Sequence, residues 1–485
     1  MITDQNPGWH LRHKYQDLPD IFYSSVGPTE VAQSKIVLFN ETLAEELGLD
    51  DTLLRQLPDI FTGNQLPDES KPIAQAYAGH QFASFTMLGD GRAVLLGEQQ
   101  ADDGRLYDIQ LKGAGRTPYS RGGDGRAALG PMLREYLISE SMHGLGVPTS
   151  RGLAVATTGE KVYREEVLPG AVLTRVADSH IRVGTFQYAR QWGSKQDLQA
   201  LADYTIDRHY PEIAEDENKY LSFLHKVAER QAALIAKWQL VGFIHGVMNT
   251  DNVAISGQTI DYGPCAFMDR YDRQTVFSSI DLERRYAYGN QPEIGAWNMA
   301  RFAESLLILI DEEEEKALPQ AKEVIQNYLS LVESYWLDGM RAKLGIVDKT
   351  DEDKVLIERL LNLMEQHRAD FTNTFRALTL LQFDPASRLF QAKAFQTWFQ
   401  EWQSKLALQS MTVTEAYQLM KQHNPSVIPR NYLVEKVLDE AVSNNDYQPL
   451  YDLLAVMQNP YAYTEMQEAY AADPPDEAYQ TFCGT

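Results

Sequence analysis

Cysteine is nearly absent from this chain, with two residues in 485. That excludes a disulfide framework and a zinc site built from cysteine. Basic residues are outnumbered: 44 Lys and Arg face 68 Asp and Glu, a net charge of −24. Nucleic-acid and anionic-membrane partners need a basic face, so neither is expected. A nucleotide is still allowed, because a local cluster of arginines is enough to hold one. No apolar run approaches the length of a membrane span. The opening residues MITDQNPGWHLRHKY hold no apolar h-region. No secretory signal is therefore expected, and the cytoplasm is the default compartment. The signature G-x-x-x-x-G-K-S/T is missing, which excludes a P-loop enzyme. The ten histidines show no HExxH or other metal-ligand spacing. His80 and His245 read as structural, and no Ser-His-Asp order or solenoid repeat stands out.

What is present is the balance of a globular protein, 44% hydrophobic and 23% charged. The length calls for at least two packed lobes. Residues 1–72 read as an N-terminal extension packed on the first lobe. Within it Lys35–Phe39 is a strand, and Asn40 caps a short helix closed by Gly48. Residues 73–180 form a strand-rich lobe. The runs Arg92–Glu98 and Leu106–Lys112 predict a hairpin. Residues Arg126–His143 have helical spacing, with Leu129, Met132, Leu133, Tyr136 and Leu137 on one face. Three strands are expected after it, at Leu153–Ala156, Lys161–Val167 and Ala171–Val176. Residues 181–472 read as a helical lobe, its clearest helix at Tyr220–Leu240. Only helices and loops are expected from Pro292 onward. Residues 473–485 read as a flexible tail carrying Cys483. The sum is an α+β fold, a strand-rich lobe followed by a helical one. That is the layout of a two-lobed, nucleotide-dependent transferase of protein-kinase type, taken as a monomer by default.

The chemistry concentrates in His245–Gly263, HGVMNTDNVAISGQTIDYG. A polar loop, Asn249 to Asn252, precedes a short apolar strand, Val253–Ile255. A turn at Gly257 leads to Asp261-Tyr262-Gly263. Two carboxylates and an amide at the ends of a tight hairpin can hold a hard cation, and they leave one carboxylate free as a base. A plain hairpin with Asx turns accounts for the same residues equally well. Three copies of Gly-x-Gly-Arg lie upstream, at Gly89–Arg92, Gly113–Arg116 and Gly123–Arg126. Glycine lets backbone approach a ligand, and Arg offers forked donors to phosphate. Three such copies at the edges of strands and a helix favour a phosphate site over plain turns. Lys112 ends a strand, and Glu135 follows 23 residues later in a helix. A buried pair would aim the amine at phosphate, but by spacing alone two surface charges explain them better. Arg175 and Arg182 flank the passage between the lobes, where either solvent or a nucleotide could take them.

Long runs carry a family resemblance. LGDGRAVLLGE, DIQLKGAGRTPYSRGGDGRAALGPMLREYL, FIHGVMNTDNVAISGQTIDYGPCAFMD and RRYAYGNQPEIGAWNMARFAESL resemble the selenoprotein O family, also called YdiU. So do NPSVIPRNYL and the late Cys483. The resemblance spans nearly the whole chain. It implies a protein-kinase-like fold that binds ATP in a flipped orientation. It also implies transfer of AMP, rather than the γ-phosphoryl group, to Ser, Thr or Tyr hydroxyls of proteins, with redox proteins among the targets. Carried over, the ATP site is Gly89, Gly91, Arg92, Lys112, Asp124, Gly125, Arg175, Arg182 and Asp261, with Glu135 pairing Lys112. Asn252 and Asp261 hold Mg²⁺, with Mn²⁺ as the alternative ion. Asp251 is the proton acceptor. In a kinase catalytic loop the residue two after the histidine is Asp, but here it is Val247. An ordinary kinase without that Asp lacks its usual base, so γ-phosphoryl transfer is disfavoured. The family further implies a reversible disulfide between Cys265 and Cys483, where two unrelated thiols are the plain alternative. Three other activities stay open: a γ-phosphoryl kinase, a non-catalytic ATP-binding scaffold, and a Mn²⁺-dependent protein uridylyltransferase.

Overall fold

The structure is a computed structural model that describes residues 6–474. Among these, nine strands build one antiparallel sheet. Its main path runs Tyr23–Ser25, Ile73–Gln75, Ala93–Gln100, Leu106–Lys112, Val167–Ala177, Arg151–Tyr163 and Lys35–Phe39. The expected hairpin is its centre: Ala93 faces Lys112 and Gln100 faces Leu106. Val94, Leu96, Ile109 and Leu111 from these two strands are fully buried, as central strands require. The three strands expected after the first long helix are two. Arg151–Tyr163 and Val167–Ala177 pair along their whole length, with a register shift between Thr157 and Lys161. That irregularity resembles a strand break in sequence because the residues there stop alternating.

One helix, Leu129–Gly144, packs on this sheet. It begins three residues later than its apolar spacing suggests. Ala127–Ala128 instead pair with Gly170 and Ala171 as a short strand. Asn40 caps the helix Glu41–Glu46 by accepting from the Leu43 N–H, as expected. From Val183 the chain is dominated by helices, and among the described residues nothing after Phe267 is a strand. The helix Lys219–Val241 buries Leu224, Val227, Ile235 and Trp238 on one face. Gly242 ends it with φ of 73°, a left-handed turn that glycine adopts without steric cost. Helices Lys219–Val241, Gln291–Ile310 and Glu314–Lys343 pack together. Their apolar faces continue the core that starts under the sheet. The result is an α+β fold of protein-kinase-like layout. Among the described residues no helix is long and apolar enough to cross a membrane.

Candidate active site

A cavity of about 1260 Å³ opens between the sheet and the helical region. Its walls include Gly89, Gly91, Arg92, Lys112, Asp124, Gly125, Glu135, Arg175, Arg182, Asp251, Asn252 and Asp261. The sequence-predicted nucleotide, metal and base positions thus meet in one space, although they span more than 170 residues of chain.

The floor is ionic. Lys112 Nζ lies 2.6 Å from Glu135 Oε2 and 3.0 Å from Asp261 Oδ1. Arg175 reaches Asp261 Oδ1 at 2.5 Å and Glu135 Oε1 at 3.2 Å. Arg182 lies 3.4 Å from Asp261 Oδ2. So Lys112 and Glu135 are a buried pair rather than two surface charges, and neither arginine is solvated. Each location follows from local structure. Strand register puts Lys112 opposite Leu173, one pleat from Arg175. The helical repeat turns Glu135 to the cavity while Leu133 and Leu137 face the core. Burial alone would raise the Asp261 pKa, but Arg175, with Lys112 and Arg182, outweighs it. The carboxyl is held well below the usual carboxylate range. Asp261 also has φ of 60°, a conformation that costs a non-glycine residue of order 1 kcal/mol.

The loop that carries Asp251 is not the expected strand hairpin. Thr250–Asn252 is a single helical turn, and only Val253 and Thr259 bridge across the loop. Arg182 bridges Ala254 instead. His245 holds the base of the loop by donating Nε2–H to the Ile260 carbonyl at 2.9 Å, and it stacks on Trp238. His80 Nδ1 meets the Gln187 amide at 2.9 Å. Both histidines are structural, as their sequence context suggests. The Asn252 amide nitrogen donates to the Val247 carbonyl at 2.9 Å, which leaves its oxygen available. Asp251 differs from the other acids. It is 8% exposed, pairs with no cation, and its Oδ1 has no hydrogen-bond partner among the described residues. Burial pushes its pKa up to about 6, against the lowering effect of Arg182.

The glycines also let the loops pack on one another. A Cβ on Gly89 would lie 2.4 Å from the Tyr119 ring, and one on Gly125 would lie 2.1 Å from the Gly115 backbone. Arg126 of the third copy turns away to the Thr29 and Glu30 carbonyls. Asp124 accepts both Nη groups of Arg164, at 2.8 and 3.1 Å.

Several residues of the site escaped the sequence reading. Tyr77 lies under the Arg182 guanidinium at 4.3 Å. Buried Asp90 accepts from the Gln110 amide at 3.1 Å, and Gln110 in turn accepts from Arg175 at 2.6 Å. The hairpin Ala78–Gln81 and Ser84–Met87 clasps the Asp251 loop: the His80 N–H donates to Thr250 Oγ1 and the Phe82 N–H to Asn249 Oδ1. The one local signal for this clasp is the dipeptide Gly79-His80. A Cβ on Gly79 would stand 2.2 Å from Asp251 Oδ1. Cys265 is fully buried, and its carbonyl accepts from Arg134 at 2.5 Å. Cys483 lies outside the described residues.

A strand-rich lobe, a Lys–Glu pair and a carboxylate in the left-handed conformation at the cleft floor define an enzyme of protein-kinase-like build. The place of the usual kinase base is taken by Val247, which lines the cavity. A family model described as protein adenylyltransferase SelO matches residues 9–458. The protein nucleotidyltransferase YdiU of Geobacillus kaustophilus is 59% identical over 482 residues, 99% of each chain. The protein of that name from Brevibacillus brevis is 58% identical over 492 residues, all of both chains. The chain belongs to the SelO family of protein nucleotidyltransferases.

Proposed function

We propose that the protein transfers AMP from ATP to Ser, Thr or Tyr hydroxyls of other proteins. The observation that carries this reading is Asp251, a buried carboxylate without an ionic partner, at the edge of a cationic chamber. Lys112, Arg175 and Arg182 supply that chamber. They would hold the triphosphate, with Asp261 and Glu135 fixing their directions. An acceptor hydroxyl would give its proton to Asp251, whose pKa of about 6 keeps it ionised yet basic near neutral pH. The hydroxyl oxygen forms a bond to the α-phosphorus, the α–β bridging bond breaks, and pyrophosphate leaves with the bond electrons. The fixed cations stabilise charge on the phosphate oxygens as it develops.

The residues present suit a divalent ion. The Asn252 amide nitrogen is held by Val247, which leaves its oxygen free of that bond, and Asn252 and Asp261 both line the cavity. Among the described residues no group of three or more His, Cys, Asp or Glu gathers to hold a metal alone. Mg²⁺ typically takes one or two protein oxygens and completes its shell with substrate phosphates and water. Asn252 and Asp261 would hold it, and Mn²⁺ would accept the same oxygens. When bound, the ion would neutralise phosphate charge.

Labelled ATP separates the alternatives. Transfer from α-labelled but not γ-labelled ATP is expected, and the reverse would establish a kinase. Faster labelling from UTP with Mn²⁺ would make uridylyl transfer the activity instead. For the Cys265–Cys483 bridge, a linked peptide in non-reducing mass spectrometry is expected. Two alkylatable thiols in oxidised, unfolded protein would exclude it.

A further inference from the structure

The cavity mouth beside Asp251 is apolar, and we propose that this rim docks the acceptor protein as an extended segment with hydrophobic side chains around the modified hydroxyl and an acidic residue nearby. The inference rests on the proposed AMP transfer, since it concerns the second substrate of the same site.

Two segments form the rim. The first is the hairpin that clasps the Asp251 loop, which exposes Phe82 at its tip, Phe85 beside it and Met87 at its base. The second is the loop from Phe277 to Arg285, which exposes Ile280 and Leu282, the latter at 89%. They meet where the Phe82 ring packs edge-on against Tyr286 at 5.3 Å. Phe82 and Ile280 both line the cavity that contains Asp251, so each segment of the rim reaches the chamber with an apolar side chain. Trp192 extends it outward by stacking on Phe85 at 5.7 Å, and is itself 46% exposed. Large apolar side chains gathered at one site on a strongly acidic chain mark a contact surface, whereas scattered ones need no explanation.

The occupant follows from this placement. A protein hydroxyl that reaches Asp251 must cross the rim, and its flanking residues then lie on Phe82, Phe85, Ile280 and Leu282. Aromatic anchors are the usual energetic centre of such contacts. Arg285 specifies the charge. Its guanidinium lies 4.9 Å from Trp297 and 5.7 Å from Tyr286. Its side chain also hydrogen-bonds Tyr286, and among the described residues it makes no ion pair. A carboxylate on the incoming segment would pair with the part of this half-buried guanidinium that stays exposed.

Two synthetic peptides test this. One has a central Ser flanked by Leu and Phe with one Glu, and the other replaces those three side chains with Ser and Gln. Full-length protein with Mg²⁺ and α-labelled ATP should modify the first with a KM at least tenfold lower. Phe85→Ser and Leu282→Ser, which lie outside the cavity wall, should each remove most of that preference. They should leave kcat and the ATP-induced melting shift unchanged. Fluorescence anisotropy of the labelled peptides without nucleotide should show the same ranking of affinities. Equal KM and equal affinity for the two peptides, or a preference that survives in both variants, would overturn the docking surface while leaving AMP transfer intact. Peptide binding with the expected ranking but no α-label on any acceptor would support the surface and overturn the transfer reaction.

Discussion

Replacing Asp251 by Asn should abolish transfer and yet make the protein more stable. Burial raises this carboxyl from an ordinary 3.8 to about 6. Between those values the folded chain holds a proton that the unfolded chain has released. The cost of the ionised form therefore grows from about pH 4 to about pH 6, and stays constant above it. The difference in pKa corresponds to about 3 kcal/mol. Unfolding entropy for a chain of this length is roughly 1 kcal/mol per degree, so the gain in Tm is about 3 °C. Asn carries no charge at any pH, so Asp251→Asn should show this gain at pH 7.5 and none at pH 4. Scanning calorimetry or dye-monitored melting at both values reads it directly. Transfer by the same variant should fall by about 10² or more, the usual contribution of a general base. In the wild type, kcat/KM should rise with pH and level off above about 6, reaching roughly a tenth of its plateau at pH 5. A variant that melts lower than wild type at pH 7.5, or that gains equally at both pH values, would refute the reasoning. So would a variant that keeps most of its activity.

Other substitutions address the rest of the site and one buried charge far from it. Glu135→Ala leaves Lys112 and Arg175 with Asp261 as their remaining shared carboxylate; urea denaturation should show a loss of about 3–5 kcal/mol. Lys112→Met should remove most of the ATP-induced melting shift, since the amine is expected to contact phosphate. Gly79→Ala places a Cβ 2.2 Å from Asp251 Oδ1; kcat should fall at least tenfold while the KM for ATP changes little. Lys343 is buried over Phe371 and Phe375, and burial lowers its pKa to about 7 from 10.5. The unfolded chain keeps that proton up to pH 10.5, so the penalty is full below pH 7 and fades as pH rises. Lys343→Met should therefore raise Tm more at pH 6.5 than at pH 9.5, with no change in transfer.

The elements that sequence reveals well are those fixed by local pattern. The helix Lys219–Val241 and the hairpin from Ala93 to Lys112 follow from apolar period and turn residues alone. The register of Lys112 and Glu135 is also legible, but their pairing follows only from the family resemblance and not from spacing. A lysine at a strand end and a glutamate in a helix are common on surfaces, and only the packing of that helix on the sheet buries both. The clasp of Ala78–Met87 on Thr250 and Asn249 is invisible for the same reason: it joins residues about 170 apart by backbone donors that any sequence possesses. The glycine-arginine repeats are informative in place, since residues of all three line the cavity, and they also have a packing role that sequence does not reveal. Their glycines relieve contacts between loops, as Gly89 does against Tyr119, and the arginine of the third copy ties down the chain at Thr29 and Glu30. The strand expected at Val253–Ile255 fails because Val183, which donates to the Val253 carbonyl, and Ile181, which accepts from the Ile255 N–H, satisfy its backbone rather than a neighbouring strand.

The acids of the cavity differ in what they do to the fold, and that difference sorts their roles. Glu135 and Asp261 neutralise buried cations, so removing either destabilises the protein whatever its part in binding. Loss of activity on substituting them therefore mixes two effects. Asp251 sits 8% exposed with an oxygen that no neighbour satisfies, which a structural residue has no reason to retain. An uncompensated buried carboxylate is a standing cost, and selection tolerates it where the group does chemistry. Gly79 and Gly184 reinforce the point: added Cβ atoms would lie 2.2 Å from Asp251 Oδ1 and 2.0 Å from the Ala78 carbonyl. The surrounding backbone is thus packed tightly against this side chain, which stays buried with Oδ1 unpaired although Gln81 hydrogen-bonds the carboxylate. The sign of the stability change on removing each acid, positive for Asp251 and negative for Glu135, is consequently a test of catalytic role that needs no substrate.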